Sequence, residues 1–164
     1  MNPVISLFDG YHVESSIWIF CTDIKLSSND TKHISDAIFS FLPEWTSHNH
    51  ALEAKMVYLS DGVWIIAVNS DARQASGCAI DKLMKLISSL EQDFGIQLRQ
   101  RLVIPLWRKD SNTFEIIPLK PFPTYVRADS LILNLGVSTL TELKQNGLIS
   151  VSSSWLNKFL NVSV

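Results

Sequence analysis

"LEAKMVYLSDGVWIIAVNS", residues 52–70, decides the fold of this chain. Two strand-like runs flank Asp61-Gly62, a pair that tolerates the positive φ of a tight hairpin turn. The second run, "VWIIAV", has no polar position, so it reads as a central strand covered on at least one face. Working outward, "SSIWIFCTD" (15–23) reads as an earlier strand centred on Ile17–Phe20. "SSND" (27–30) supplies helix-capping side chains, and Ile34, Ala37, Ile38, Phe41, Leu42 and Trp45 form a helical stripe that Pro43 ends or bends. On the other side, "SDARQASGCAID" (70–81) leads into a second helix with the stripe Ile80, Leu83, Met84, Ile87, Leu90 and Phe94, closed by Gly95.

Beyond it, "RLVIPLW" (101–107) predicts a strand, "RKDSN" (108–112) a turn and "FEIIPL" (114–119) the hairpin partner. Pro105 argues for a bulge or an edge-facing position. "PLKPFPTY" (118–125) is a loop and "SLILNLG" (130–136) a short strand. Thr139 and Glu142 form a capping-box pattern ahead of a short helix ending at Gly147. The first ten residues lack periodicity and read as a loosely docked arm.

The order strand–helix–strand–strand–helix–strand predicts an α+β fold, ferredoxin-like at its centre: a split βαβ antiparallel sheet with two helices on one face. One domain is expected over 1–164, with the ferredoxin-like part at 14–107 and an added hairpin strand and helical tail at 108–164. Two helices cover only one face of such a sheet. The expected cover for the other is the tail, through Trp155 and Phe159, with a homodimer or a protein partner as the alternative.

Composition narrows the function classes. With 46% hydrophobic and 18% charged residues over 164 positions, the chain is of globular and not disordered type. A net charge of −2 gives no long-range attraction to nucleic acid or to an anionic membrane. Arg99, Arg101, Arg108 and Lys109 read as a solvated, aggregation-resisting edge. The longest apolar runs are far short of the ~20 residues of a membrane span. "MNPVISLFDG" is not a secretory signal. Two cysteines are too few for a disulfide framework, so a reducing cytoplasm is the expected location.

The chemistry concentrates at "SGCAID". With Ser76 as helix cap, the open amides of the first turn favour a thiolate at Cys78, and Gly77 lets a substrate approach. Asp81, one turn on, opposes that thiolate by like charge. A base must come from "WTSHNHAL" (45–52), giving a Cys78–His48 pair with Asp81 orienting the imidazole. Against this stands the reading of Cys78 as a small buried residue, which the burial preference of free cysteine favours. Ser76, Gly77, Arg73 and His50 are the candidate binding residues around the same helix start. No CxxC or HExxH spacing calls for a metal, no "GxxxxGK[ST]" supports nucleotide hydrolysis, and no cofactor is expected. His12 and His33 read as isolated surface or capping residues.

The stretch from Trp45 to Asp81, "LEQDFGIQLRQRLVI" (90–104) and the terminal "SSSWLNKFL" together resemble a family of short bacterial proteins of unknown function often labelled "ABC transporter ATPase". The likeness runs from about Ile17 to Leu160 and is most specific at Ala75–Cys78 with Asp81, alongside Trp45, His48 and Trp155. It implies no established activity or catalytic residue. The label conflicts with the chain, which lacks a phosphate loop, a Walker B carboxylate and an "LSGGQ"-like signature. The expectation is therefore a non-enzymatic binding or interaction domain with a site at the SGCAID helix start; the alternative is a cysteine-dependent enzyme or redox protein using Cys78 with His48.

Overall fold

The computed structural model describes residues 2–99 and 102–160, so the predicted surface charge Arg101 lies outside the described residues. The fold is α+β. β1 (Ser16–Cys21), β4 (Ala54–Leu59) and β5 (Val63–Val68) form an antiparallel sheet in the order β1-β5-β4. The predicted turn joins β4 to β5, with Asp61 at φ 58° and Gly62 at φ 91°. A Cβ on Gly62 would also fall 2.2 Å from the Thr22 Cγ2, so the position needs glycine for space as well as for φ.

No residue of β5 is more than 1% exposed, because both faces of the strand are covered. Trp64, Ile66 and Val68 face α1 (Ser28–Phe41) and α2 (Gly77–Phe94), meeting Ile34, Ile38, Leu83, Ile87 and Leu90. Ser27 caps α1 by accepting from the Asp30 amide, Ser76 caps α2 by accepting from the Ala79 amide, and Gly95 closes α2 in the left-handed conformation. Trp18 packs on the same helix side as Trp64.

The opposite face carries Ile17, Ile19, Cys21, Val63, Ile65 and Ala67, and its cover departs from expectation. The described part of the C-terminal tail, to Leu160, does not contribute to it. A second antiparallel sheet, formed by residues 113–118, 103–108, 131–133 and 148–150 in that spatial order, does, through Val103, Phe114 and Leu133. It comprises β6 (Val103–Arg108), β7 (Thr113–Pro118), β8 (Leu131–Leu133) and β9 (Leu148–Ser150). The N-terminal arm is part of the same core, with Val4, Phe8 and Tyr11 buried, as are Leu140 and Leu143 of α3 (Leu140–Asn146). The tail instead packs Leu156, Phe159 and Leu160 on the outer face of the second sheet, and Trp155 stays half exposed.

The expected fourth strand, β6, therefore leaves the first sheet. β1's outer edge is held at both ends by other segments. The Ile17 amide donates to the Ser138 carbonyl, and the Cys21 and Asp23 amides donate to the carbonyls of Leu98 and Gln97. β6 is apolar on both faces, with Val103 and Trp107 inward and Ile104 and Leu106 outward, so it serves as an interior strand of a separate sheet. The second sheet thus begins at Val103, inside the segment expected to complete the first. Pro105 is neither at a bulge nor on an edge, since the β6–β7 register is unbroken and β6 lies between β7 and β8. The ladder to β7 uses the alternate residues set by the Leu119-to-Leu102 bond, so the missing amide at 105 faces β8. The β6–β8 register is accordingly reduced to the single pair Leu106–Ile132.

Because β5 is sealed on both sides, Ile65→Ala is expected to lower unfolding free energy by about 2–5 kcal/mol, measured by urea denaturation.

Candidate functional site

Cys78 lies where the sequence reading puts it, in the first turn of α2 behind the Ser76 cap, whose hydroxyl accepts from the Ala79 amide at 3.2 Å. The favoured reading of Cys78 as a buried residue is corrected: it is exposed, whereas Cys21 is fully buried with its thiol directed at the Thr22 carbonyl. The stripe that buries α2 runs through Ala79 and Leu83, and residue 78 falls one position off it.

The histidine loop does pack against this helix start. Trp45 donates from Nε1 to the Ala79 carbonyl at 2.8 Å, Ser47 Oγ accepts from the Ser76 amide at 3.1 Å, and Lys82 Nζ reaches Thr46 Oγ1 at 3.3 Å. The loop is a two-residue hairpin between β2 (Thr46–Ser47) and β3 (His50–Ala51), with His48 at φ 51° and Asn49 at φ 63°. His48 at its tip and His50 at the start of β3 are exposed, and Asp81 is exposed on α2. Among the described residues no hydrogen bond or ion pair joins Cys78, His48 and Asp81, and no group of three His, Cys, Asp or Glu side chains is placed to hold a metal ion. Gly77 has no positive φ, and a Cβ there would meet nothing within 4 Å. Arg73 is tied through its backbone, its amide donating to the Asn69 carbonyl.

His12 is not isolated. Its Nδ1 accepts from the Glu14 amide at 3.1 Å and lies 3.2 Å from Ser70 Oγ, while its own amide donates to Asn69 Oδ1. Asn69 in turn donates to Glu53 Oε2, and buried Ser15 accepts from the Ser70 amide. This network fastens the arm to the end of β5.

A concavity among the described residues lies elsewhere. A cavity of about 600 Å³ runs along the outer edge of β4, floored by residues 52–57. One wall is the arm, with Phe8, Asp9 and Tyr11; the other is the end of α1 and the 3₁₀ turn after it, with Phe39, Leu42 and Pro43. Phe39 is 66% exposed at the rim. Tyr11 is buried, yet its hydroxyl has no hydrogen-bond partner among the described residues, and Lys55 Nζ sits 5.1 Å above its ring. Burial, with the Glu53 carboxylate adding to it, pushes the Tyr11 phenol up from 10.0 to about 12.

Sequence reasoning missed this groove. Its one legible signal was Phe39, a large aromatic off the apolar stripe of an otherwise amphipathic helix. That β4 is an edge strand, and that the arm walls it, are tertiary facts.

Compared with models of known families, with curated proteins and with solved structures, the chain matches none.

Two expected outcomes follow from these placements. Native protein treated with a thiol-reactive chromogen titrates one cysteine per chain, and Cys78→Ser abolishes that signal; unfolding exposes the second. In a phenolate absorbance titration the last component rises near pH 12 and is lost in Tyr11→Phe. Between pH 10 and 12 the unfolded chain releases a proton that folded Tyr11 keeps. Stability therefore falls through that window in the wild type and falls less in the variant.

Proposed function

We propose that this protein is a non-enzymatic binding domain whose binding surface is the groove along β4, in place of the SGCAID helix start. The observation that carries this reading is the walled cavity of about 600 Å³, with a wide-open aromatic rim at Phe39 and an unsatisfied hydroxyl at Tyr11. The volume lies within the range of ligand pockets, roughly 300–1,000 Å³, and the lining is the usual mixture of apolar walls and a few polar groups. The helix start offers a shallower case. Its exposed thiol has no base hydrogen-bonded to it, and the loop beside it spends its polar groups on capping and bracing α2. The nucleophile–base contact between Ser70 and His12 is on the surface, and the imidazole nitrogen involved already serves the Glu14 amide.

The β1-β5-β4 order with two helices on one face supports reading the N-terminal part as a ferredoxin-like unit whose fourth strand position is unfilled by β6. A cytoplasmic setting suits an exposed cysteine thiol, which a reducing compartment protects from oxidation.

The reading is tested by amide NMR with a library of small aromatic and aliphatic fragments. Shifts are expected to cluster at Tyr11, Phe39 and residues 52–57, and to weaken at least tenfold in affinity in Phe39→Ser. Shifts that gather at residues 76–82, or nowhere, overturn it.

A further inference from the structure

Resting on that reading, we infer that the groove's occupant is an extended peptide segment that adds to β4 as a new strand. The phase of the sheet argues for this. The Asn69 amide donates to the Glu53 carbonyl at 2.8 Å, which makes 53 and 69 a hydrogen-bonded pair. Such pairs alternate in an antiparallel ladder. Lys55, Val57 and Leu59 therefore turn their amides and carbonyls to Ala67, Ile65 and Val63. Those of Ala54, Met56 and Tyr58 turn outward, three donors and three acceptors in one row, with no proline among them. Ala54 and Met56 lie on the floor of the groove.

Two other edges are partly closed among the described residues. Ser138, Leu98 and Gln97 hold β1 at its two ends. On β7 the outward Phe114 amide is taken by Ser60 Oγ at 2.7 Å, and Pro118 has no amide to offer. An unblocked edge is a template for strand addition.

The walls define the peptide. A strand added about 4.8 Å from β4 sends successive side chains to opposite faces. One set meets Phe39, Leu42, Pro43 and Met56, and the other meets Phe8, Tyr11 and Val57, so apolar residues are favoured on both faces. At the Ala54 end stands the Glu53 carboxylate; Asp9 also lines the groove, 3.5 Å from Lys144, and the Lys55 Nζ is turned to the Tyr11 ring. Charge complementarity there calls for a Lys or Arg at that end of the segment. A second copy of this chain is the poorer occupant. Its β4 is flanked by the same two walls, which two copies would have to fit past one another, and a stable dimer needs about 800 Å² from each partner.

The test is selection of a random octapeptide phage library on the full chain, followed by titration of the best synthetic peptide. Apolar sequences with a basic residue toward one end are expected. Met56→Pro, which removes an outward amide without touching the bonds to β5, is expected to weaken binding at least tenfold while leaving circular dichroism unchanged. N-methylating the peptide at alternate residues is expected to abolish binding in one parity and spare it in the other. If Met56→Pro does not fold, Phe39→Ser and the N-methyl parity carry the test. Equal binding to both proteins, no parity effect, no selected peptide, or a concentration-dependent dimer that Met56→Pro abolishes overturns strand addition. Fragments filling the groove without any peptide pairing would sink this inference alone; fragments missing the groove would sink the binding reading with it.

Discussion

β5 cannot face water on either side, and the rest of the molecule is arranged around that constraint. Six consecutive positions with no polar side chain need cover from two directions. Trp64, Ile66 and Val68 receive it from α1 and α2, while Val63, Ile65 and Ala67 receive it from the second sheet, the arm and α3. Apolar burial at roughly 25 cal/mol per Å² makes both contacts strongly favourable. The layers follow in sequence: helices, first sheet, second sheet, then the C-terminal segment on the outside.

The same constraint sets the edges. A three-stranded sheet centred on β5 has two, and they meet different fates. β1 is clasped by chain returning from α2 and by the approach to α3. Among the described residues β4 receives no strand on its outer edge, and the arm and the end of α1 rise on either side of it. The arm is anchored by burial of Val4, Phe8 and Tyr11 and by the Asn69–His12–Ser70 network, so the wall it forms belongs to the fold. The groove is a consequence of how the central strand is covered, and its polar features, the Tyr11 hydroxyl and the outward amides of β4, are groups left over when that cover was assembled.

Cys78 illustrates how a local motif reads differently in three dimensions. Its position at the start of α2 is set by the Ser76 cap, and the loop bearing His48 does fold against that helix. What the loop delivers to the contact is Trp45, Thr46 and Ser47, which brace α2, while His48 at the hairpin tip and His50 at the start of β3 stay exposed. Proximity of segments did not bring the reactive groups into a bonded set.

The amino-acid sequence by itself determined the local elements. The Asp61-Gly62 turn, the Ser27 and Ser76 caps, the Gly95 terminus and the Thr139–Glu142 box are short-range chemistry, each settled within a few residues. Which sheet β6 would join was decided only by the tertiary structure, because a strand apolar on both faces suits the interior of either. So was the cover of the second face: the arm's Val4, Phe8 and Tyr11 show no period, and the core they join is drawn from both sheets and α3. The groove on β4 arises from the same long-range choices, since an edge is defined by the strand that does not come to pair with it.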